Sequence, residues 1–263
     1  MHIAKSCPAC TSTDLSSNAA VLMPFVAERV FGWQPAEITA EWQLRTIPQG
    51  NAQTICSTLE CNECGLLFLD MRFDDDEMRR LYADYRGAEY TQAREVYEPG
   101  YTKRNQFLQS EKHIDEVEQF LNGVKHRTVL DYGGDDGSKT PFPDALQHVY
   151  EISGKRQDEL LPAYDLIVCS HVLEHVPDPA QVLRHIQGFM LPDSVLYIEL
   201  PMELPFLDLF EHPKRHWHEH INLYSRRSLE LLLWRLGFVI DRFEQNVFLS
   251  SPVYMITCRK DKQ

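Results

Sequence analysis

Residues 128–138 read TVLDYGGDDGS, and this stretch decides the fold. A short apolar run ends at Asp131 and passes at once into Gly133 and Gly134, which allow close backbone approach and unusual dihedral angles. A strand followed directly by glycines is typical of a loop that receives a nucleotide. Asp135 stands where a further glycine is expected, but an aspartate tolerates left-handed geometry better than most residues, so the turn can still form.

Strand-like and helix-like runs alternate along the chain around this stretch. Alternation of this kind predicts an α/β fold with a mostly parallel sheet covered by helices on both faces. The last two strand-like runs lie close together and predict a hairpin at the sheet edge. The strand-like runs are RTVLDY, HVYEI, YDLIVCS, SVLYIEL, FVIDRFEQ and SPVYMITCRK, and the helix-like runs are residues 106–121, DPAQVLRHIQGFM and SRRSLELLLWRLGF.

The composition is ordinary for a soluble globular protein, with 43% hydrophobic and 25% charged residues in a chain of 263. This length suffices for one α/β domain of about 150 residues with a smaller appendage. The formal net charge of −13 argues against a nucleic-acid surface, because phosphate neutralisation needs clustered Lys and Arg. We therefore expect a small-molecule or sugar substrate and no nucleic acid.

The sequence also bears on location. No stretch approaches about 18 consecutive apolar residues, so no membrane span is predicted. The first residues, MHIAKSCPACTSTDL, lack the apolar core of a signal peptide. We therefore expect a cytoplasmic protein whose thiols stay reduced, and expect its seven cysteines to be metal ligands or buried thiols rather than disulfides.

Two Cys-x-x-Cys pairs occur near the start of the chain. Cys7 and Cys10 lie in CPAC, and Cys61 and Cys64 lie in CNECG. Each pair fits a tight turn, and two such turns supply the four thiolates of a tetrahedral zinc site. Four protein ligands leave no open position, so the predicted Zn²⁺ is structural. The alternatives are four unrelated cysteines or one redox-active pair.

The three remaining cysteines have different surroundings. Cys56 lies close to the second pair in sequence and competes with it for one ligand position. Cys169 and Cys258 lie in apolar strand-like runs, and we interpret both as core thiols.

Three stretches together resemble the class I S-adenosylmethionine (SAM)-dependent methyltransferases. The most similar branch carries an N-terminal cysteine lobe and includes sugar C-methyltransferases and their relatives from polysaccharide and antibiotic biosynthesis. CNECGLLFLDMRF and LYADY also have counterparts in that branch, so the resemblance covers nearly the whole chain. The three stretches are VLDYGGDDG, YDLIVCSHVLEHVPDP and HEHINLYSRRSLELLLWRLGF.

The resemblance implies a SAM site at the glycine turn and the strand ends beside it. In the family the turn holds the methionine part of SAM, and an acid that ends the next strand binds the ribose hydroxyls. Here that acid is Glu151, and Asp158 is the candidate for the adenine amino group. The implied cofactor-binding residues are Asp131, Gly133, Gly134, Asp135, Gly137, Glu151, Asp158, Ser170 and His171.

The adenosine-binding half is shorter than the family pattern. Pro141 and Pro143 follow the glycine turn and limit any helix there to one or two turns. After Glu151 only ISGKRQDELLPA precedes the next strand at Tyr164, which is too short for the usual helix, strand and loop. We therefore predict a Rossmann-like sheet that lacks one strand and one helix.

Two polar segments are candidates for the chemistry. CSHVLEHVPDP follows the strand that ends near Ser170, so His171, Glu174 and His175 are predicted to line the pocket, the alternative being a polar helix start. By resemblance, Glu219 and His220 correspond to the acid–base pair of the sugar C-methyltransferases. The predicted catalytic residues are therefore His220, Glu219 and His175.

The second segment is open to two other interpretations. His216, His218 and His220 would face one way on an extended segment, which suggests a metal, but no acid or cysteine is placed to complete that site. His220 could also be a structural histidine that precedes Ser225, the cap of the next helix.

The chain divides into three predicted segments. Residues 1–70 form a zinc-binding lobe, residues 71–104 a tyrosine-rich helical arm or linker, and residues 105–263 the Rossmann-like methyltransferase domain. The arm's tyrosines either pack over a neighbouring cleft or lie on the surface of a linker. They are Tyr82, Tyr85, Tyr90, Tyr97 and Tyr101.

The predicted function is SAM-dependent methylation of a small polar acceptor, a nucleotide-linked or polymer-bound sugar. O-methylation is favoured over C-methylation, because the sugar C-methyltransferases that the chain resembles continue into a further domain. The alternative function is a degenerate methyltransferase fold that binds a ligand or partner without catalysis, which the shortened half and Asp135 favour.

Overall fold

The computed structural model describes residues 1–43, 50–110, 114–151, 156, 158–203, 214–248 and 251–261. A six-stranded sheet forms the centre of the larger part of the chain. Its strands are β8 (Thr128–Tyr132), β9 (Leu146–Tyr150), β10 (Tyr164–Ser170), β11 (Met190–Pro201), β14 (Phe238–Phe248) and β15 (Ser251–Lys260).

The order across this sheet is β14-β15-β11-β10-β8-β9. Strands β9, β8, β10 and β11 are parallel, and β15 runs antiparallel to both β11 and β14. The predicted mostly parallel sheet and its edge hairpin are confirmed. Among the described residues, β9 is the edge strand on the side of the sheet away from the hairpin. The connection from β8 to β9 consists of turns and bends, because its two prolines, Pro141 and Pro143, disfavour a helix there.

Helices cover both faces of the sheet. Helix α5 (Ile114–Phe120) packs with Val129 and Tyr197 on one face. Helices α6 (Pro179–Gly188) and α7 (Arg226–Arg235) pack on the other, where Cys169 and Cys258 are fully buried as predicted. Leucines and isoleucines at helical spacing supply these contacts, which is typical of amphipathic helices on a sheet.

The N-terminal lobe has its own strands. They are β1 (His2–Ile3), β2 (Leu15–Leu22), β3 (Ala36–Ile38), β4 (Gly50–Ala52), β5 (Thr54–Cys61), β6 (Leu67–Leu69) and β7 (Met71–Arg72), with helix α1 (Pro24–Phe31) and a 3₁₀ turn at Ala40–Trp42. Two short strands from later in the chain, β12 (His216–Trp217) and β13 (Asn222–Leu223), complete its sheet in the order β12-β2-β5-β6-β13. The segment between β12 and β13 is therefore held at both ends by the lobe.

The arm consists of helices α2 (Asp75–Tyr82), α3 (Ala88–Tyr97) and α4 (Tyr101–Ser110). The helix predicted over residues 106–121 is divided between α4 and α5, and residues 111–113 lie outside the described ranges. Tyr82, Tyr90 and Tyr101 are buried against α1 and the lobe sheet. The arm's tyrosines therefore pack into a core, and they are not surface residues of a linker. No helix within the described ranges is long and apolar enough to cross a membrane.

Candidate active site

The glycine turn after β8 has the predicted left-handed geometry. Gly133, Asp135 and Gly137 have φ values of 82°, 54° and 78°. The Gly133 N–H donates to the Tyr150 carbonyl at 2.7 Å, and the Asp135 N–H donates to the Glu151 carboxylate at 2.9 Å. The turn therefore forms with an aspartate at its centre, because Asp135 takes the conformation that a glycine would supply.

Asp131 lies beneath this turn and is buried. Its carboxylate accepts a hydrogen bond from the Thr140 hydroxyl at 2.7 Å. Burial raises the pKa of Asp131 to about 6, although the Thr140 hydrogen bond opposes the rise. An ionised carboxylate at this position therefore destabilises the folded protein at neutral pH.

Asparagine at position 131 should stabilise the protein, and only at higher pH. The folded state binds the Asp131 proton more tightly than the unfolded state, in which the pKa of this carboxyl is 3.8. The free energy of unfolding therefore falls as pH rises from about 4 to about 6, and it stays lower above that. This difference corresponds to about 3 kcal/mol. Urea unfolding should show D131N more stable than the wild type at pH 8 and nearly equal to it at pH 4. An equal gain at both pH values would contradict the assignment.

On the adenosine side, the edge of β9 is covered by side chains. Asp158 accepts from the Val149 N–H at 2.8 Å and forms an ion pair with Arg156, also at 2.8 Å. Arg156 in turn donates to the Asp136 carbonyl at 3.0 Å. Asp158, predicted to meet the adenine, thus occupies the hydrogen-bonding edge where a further strand would pair.

The residues at the turn fit the amino-acid end of SAM. A Cβ at Gly133 would lie 2.5 Å from Val172 Cγ2, so the close backbone approach there requires glycine. A Cβ at Gly137 would lie 2.4 Å from Arg156 Nη1, the far end of a flexible side chain that can move aside. Asp131 and Glu151 supply carboxylate oxygens beside the turn that can accept from an ammonium or from ribose hydroxyls.

The carboxyl end of β10 carries a histidine between two buried acids. His171 lies 3.0 Å from Glu199 through Nε2 and 3.2 Å from Glu174 through Nδ1, and its φ is 53°. Burial alone lowers the pKa of His171, but the two carboxylates outweigh it and raise that pKa to about 10. His171 is therefore a cation that holds Glu174 and Glu199 in place. Ser170 also contacts Glu199, at 3.3 Å.

His175 lies one turn further and is neutral. Burial, aided by repulsion from His220, lowers its pKa to about 4. Its Nδ1 lies 3.1 Å from the Glu219 carbonyl and 2.8 Å from the Tyr82 hydroxyl. In the tautomer whose Nδ1 donates to the Glu219 carbonyl, Nε2 keeps its lone pair, whereas a Tyr82 hydroxyl that donates to Nδ1 requires the hydrogen on Nε2.

His220 is oriented by an acid that the sequence did not single out. Its Nδ1 contacts the Glu203 carboxylate, whereas the adjacent Glu219 forms an ion pair with Arg94. Glu219 and His220 therefore have different partners although they are adjacent in the chain. Burial lowers the pKa of His220, but Glu203 outweighs it and leaves that pKa raised. Glu203 follows the end of β11, and an acid just after a parallel strand was the available signal.

Three of the four histidines of the EHPKRHWHEH segment do not converge, and the fourth, His212, lies outside the described residues. His216 is exposed at the start of β12, and His218 lies 3.4 Å from Glu98 of the arm. His220 instead faces His175, with ring centroids 4.5 Å apart. The metal site considered for His216, His218 and His220 is therefore wrong.

The four lobe cysteines converge on one point. Sγ of Cys7 lies 3.6 Å from Sγ of Cys64, Sγ of Cys10 lies 3.5 Å from Sγ of Cys61, and all four sulfurs lie within 4.8 Å of one another. Zinc–sulfur bonds of about 2.3 Å in a tetrahedron place sulfurs about 3.8 Å apart, so this group fits Zn²⁺. Cys56 is outside the group and is buried in a different hydrophobic cluster.

The sheet order, the left-handed glycine turn and the polar cluster at the strand ends define an α/β domain that binds a nucleotide-type cofactor. A sequence model described as a methyltransferase domain matches residues 103–242, just over half of the chain. The chain belongs to this family and is a SAM-dependent methyltransferase.

Solved structures with a similar fold are also methyltransferases. Magnesium protoporphyrin IX methyltransferase from Synechocystis PCC 6803, with bound SAM, is 18% identical over 72% of this chain and 98% of its own, with a TM-score of 0.47. Mitomycin 7-O-methyltransferase is 20% identical over 64% of this chain and 57% of its own, with a TM-score of 0.45. Because the sequence identities and TM-scores are this low, these similarities say nothing about the methyl acceptor. No curated protein matches the sequence.

Proposed function

We propose that this methyltransferase acts on a hydroxyl of a small polar acceptor, a nucleotide-linked or polymer-bound sugar, with His220 as general base. The observation that carries the proposal is the contact of His220 Nδ1 with the Glu203 carboxylate at the carboxyl end of the parallel sheet. That contact places the hydrogen on Nδ1 and leaves the Nε2 lone pair for the acceptor's proton.

The chemistry asks little else of the protein. SAM supplies a sulfonium leaving group when bound, so the chain has to align the acceptor, exclude water and remove one proton. The hydroxyl proton passes to His220 Nε2, and the Glu203 and Glu219 carboxylates stabilise the imidazolium that results. The proposed SAM residues are Asp131, Gly133, Gly134, Asp135, Gly137, Glu151, Asp158, Ser170 and His171.

The choice of a polyhydroxyl acceptor rests on unsatisfied acceptors beside the base. Oε2 of Glu219 is buried and has no hydrogen-bond partner among the described residues. A buried carboxylate oxygen without a donor is unfavourable, and sugar hydroxyls are neutral groups that can donate to such an oxygen. The surplus of carboxylates at this end of the sheet disfavours an acceptor that carries its own anion next to the reacting hydroxyl.

Other parts of the proposal concern the fold. The four cysteines hold one structural Zn²⁺, which is supported by the spacing of their sulfurs. Residues 1–70 form the zinc lobe, 71–104 the arm and 105–263 the methyltransferase domain. A cytoplasmic location agrees with seven cysteines that are all free thiols.

Substitution of Glu203 tests whether this residue, and not Glu219, is the acid that orients His220. E203Q keeps a hydrogen-bond acceptor but removes the charge that stabilises the imidazolium. We expect kcat to fall tenfold to a hundredfold, about 1.4 to 2.7 kcal/mol in activation free energy, with SAM affinity unchanged.

The matched control is E244Q, which changes an exposed glutamate whose carboxylate pairs with Arg242 on the outer strand. Its kcat should equal that of the wild type in a radiolabelled methyl-transfer assay with a panel of nucleotide sugars. Equal kcat values for E203Q and E244Q would contradict the orienting role of Glu203. Turnover of no hydroxylated acceptor, with SAM bound, would favour the non-catalytic alternative.

A further inference from the structure

Three side chains that include the proposed base lie close together, and general-base catalysis requires only one of them. Glu174, His175 and His220 each offer one ligand atom, and the three atoms lie within 4.8 Å of one another. They come from two separate segments, one after β10 and one between β12 and β13. Two imidazoles and one carboxylate are a ligand set that transition metals prefer.

Both histidines face a hydrogen-bond acceptor through Nδ1. Nδ1 of His175 faces the Glu219 carbonyl at 3.1 Å, and Nδ1 of His220 faces the Glu203 carboxylate. Each of these two partners can accept from an Nδ1–H, and a ring in that tautomer keeps its Nε2 lone pair for a metal. Metal-binding histidines are commonly fixed by this arrangement, in which the second nitrogen donates to a carbonyl or carboxylate.

One carboxylate oxygen of Glu174 is buried and makes no hydrogen bond among the described residues. The residue is 1% exposed, and its Oε1 contacts His171 at 3.2 Å and lies 3.9 Å from His175 Nε2. Its Oε2 has no hydrogen-bond partner among the described residues. Burying an oxygen without a donor is unfavourable, and a cation held by this carboxylate would offset part of that cost.

We propose that Glu174, His175 and His220 bind one divalent transition-metal ion of the Zn²⁺ or Co²⁺ type. Ligand bonds of about 2.0 Å in a tetrahedron place ligand atoms about 3.3 Å apart, so distances of up to 4.8 Å between the present ligand atoms need to shorten by at most about 1.5 Å. The His220 side chain is 31% exposed and gives the ion access from solvent. At least one coordination position remains open.

The ion and the acceptor compete for His220. A metal bound to Nε2 occupies the lone pair that would take the acceptor's proton, so the loaded enzyme is inactive until a chelator removes the ion. This loss of activity rests on the proposed function, whereas the binding of the ion does not.

The test is a titration with Co²⁺ of full-length protein whose cysteine site already holds Zn²⁺. We expect one further equivalent to bind, with visible ligand-field bands but without the near-ultraviolet thiolate-to-cobalt charge transfer that the cysteine site would give. Equilibrium dialysis should show that H175A and, as a more conservative variant, E174Q bind Co²⁺ at least about tenfold more weakly. H216A removes an exposed histidine of the same segment and should bind Co²⁺ as the wild type does.

Two results would overturn the site. One is no binding beyond the zinc equivalent, or binding that shows thiolate charge transfer. The other is unchanged Co²⁺ affinity in both E174Q and H175A, with circular dichroism confirming that they are folded. If Co²⁺ binds as expected but turnover continues in its presence, the metal site stands and the assignment of His220 as base fails.

Discussion

Replacement of Cys64 by serine should cost the protein its zinc and unfold the N-terminal lobe. Cys64 is 2% exposed and one of four converging thiols. Structural Zn²⁺ contributes roughly 10–16 kcal/mol in small zinc domains, as much as the whole stability of an ordinary domain of about 5–15 kcal/mol. Zinc content by mass spectrometry should fall from one equivalent to near zero, and thermal unfolding should lose its cooperative transition.

C56S is the matched control for this experiment. Cys56 is also a buried lobe thiol, but it lies outside the zinc group. The C56S protein should keep one equivalent of zinc and lose no more than about 1–3 kcal/mol of stability through its buried hydroxyl. Less than half an equivalent in freshly purified wild-type protein, or a C64S protein that keeps its zinc, would contradict the site.

Loss of zinc should also reduce activity, although the metal touches no substrate in this account. Strands β12 and β13 pair with β2 and β6 of the lobe sheet, and His220 lies between them. Ser225, at the start of α7, donates to the Cys64 carbonyl at 2.7 Å, and Arg235 at its end donates to the Ala9 carbonyl at 2.9 Å. The lobe therefore holds the segment that carries the base.

His220→Ala should abolish turnover while SAM binding stays near normal. The variant removes the nitrogen that takes the acceptor's proton but leaves the glycine turn intact. General-base catalysis contributes about 10²–10⁴ in rate, so kcat should fall by that factor. Single-turnover assays should show the loss in the chemical step, and calorimetric titration should show a SAM dissociation constant within about twofold of the wild type.

H218A serves as the control for a histidine of the same segment. His218 is directed to Glu98 of the arm, so its removal should leave the rate of proton transfer unchanged. Wild-type turnover in H220A would show that His220 is not the base. A loss of SAM affinity equal to the loss of rate would assign His220 to cofactor binding.

Much of the fold followed from the sequence because its signals are local. The alternation of runs predicted the parallel sheet and the closing hairpin, and the short stretch before Tyr164 predicted that no strand pairs beyond β9, as is seen among the described residues. The Cys-x-x-Cys pairs predicted a cluster that the structure brings together in space. These patterns depend on neighbours in the chain, and such patterns are the strongest that a single sequence offers.

The partners of the site residues were not predictable in the same way. His220 contacts Glu203, which is 17 residues away in the sequence, and Glu219 contacts Arg94, which is 125 residues away. No spacing rule joins positions that far apart, since tertiary packing alone decides which carboxylate faces which cation. The completion of the lobe sheet by β12 and β13 was missed for the same reason, because two-residue strands leave no periodic pattern.

We expect SAM to bind at the glycine turn although its adenosine side is shortened and covered by Arg156 and Asp158. Calorimetric titration of the zinc-loaded protein with SAM tests it most directly. We expect a dissociation constant on the order of micromolar, about −8 kcal/mol, that is lost in G133R, where the new side chain would meet Val172. No heat of binding at about millimolar SAM in folded wild-type protein would contradict the claim and leave a methyltransferase fold without its cofactor.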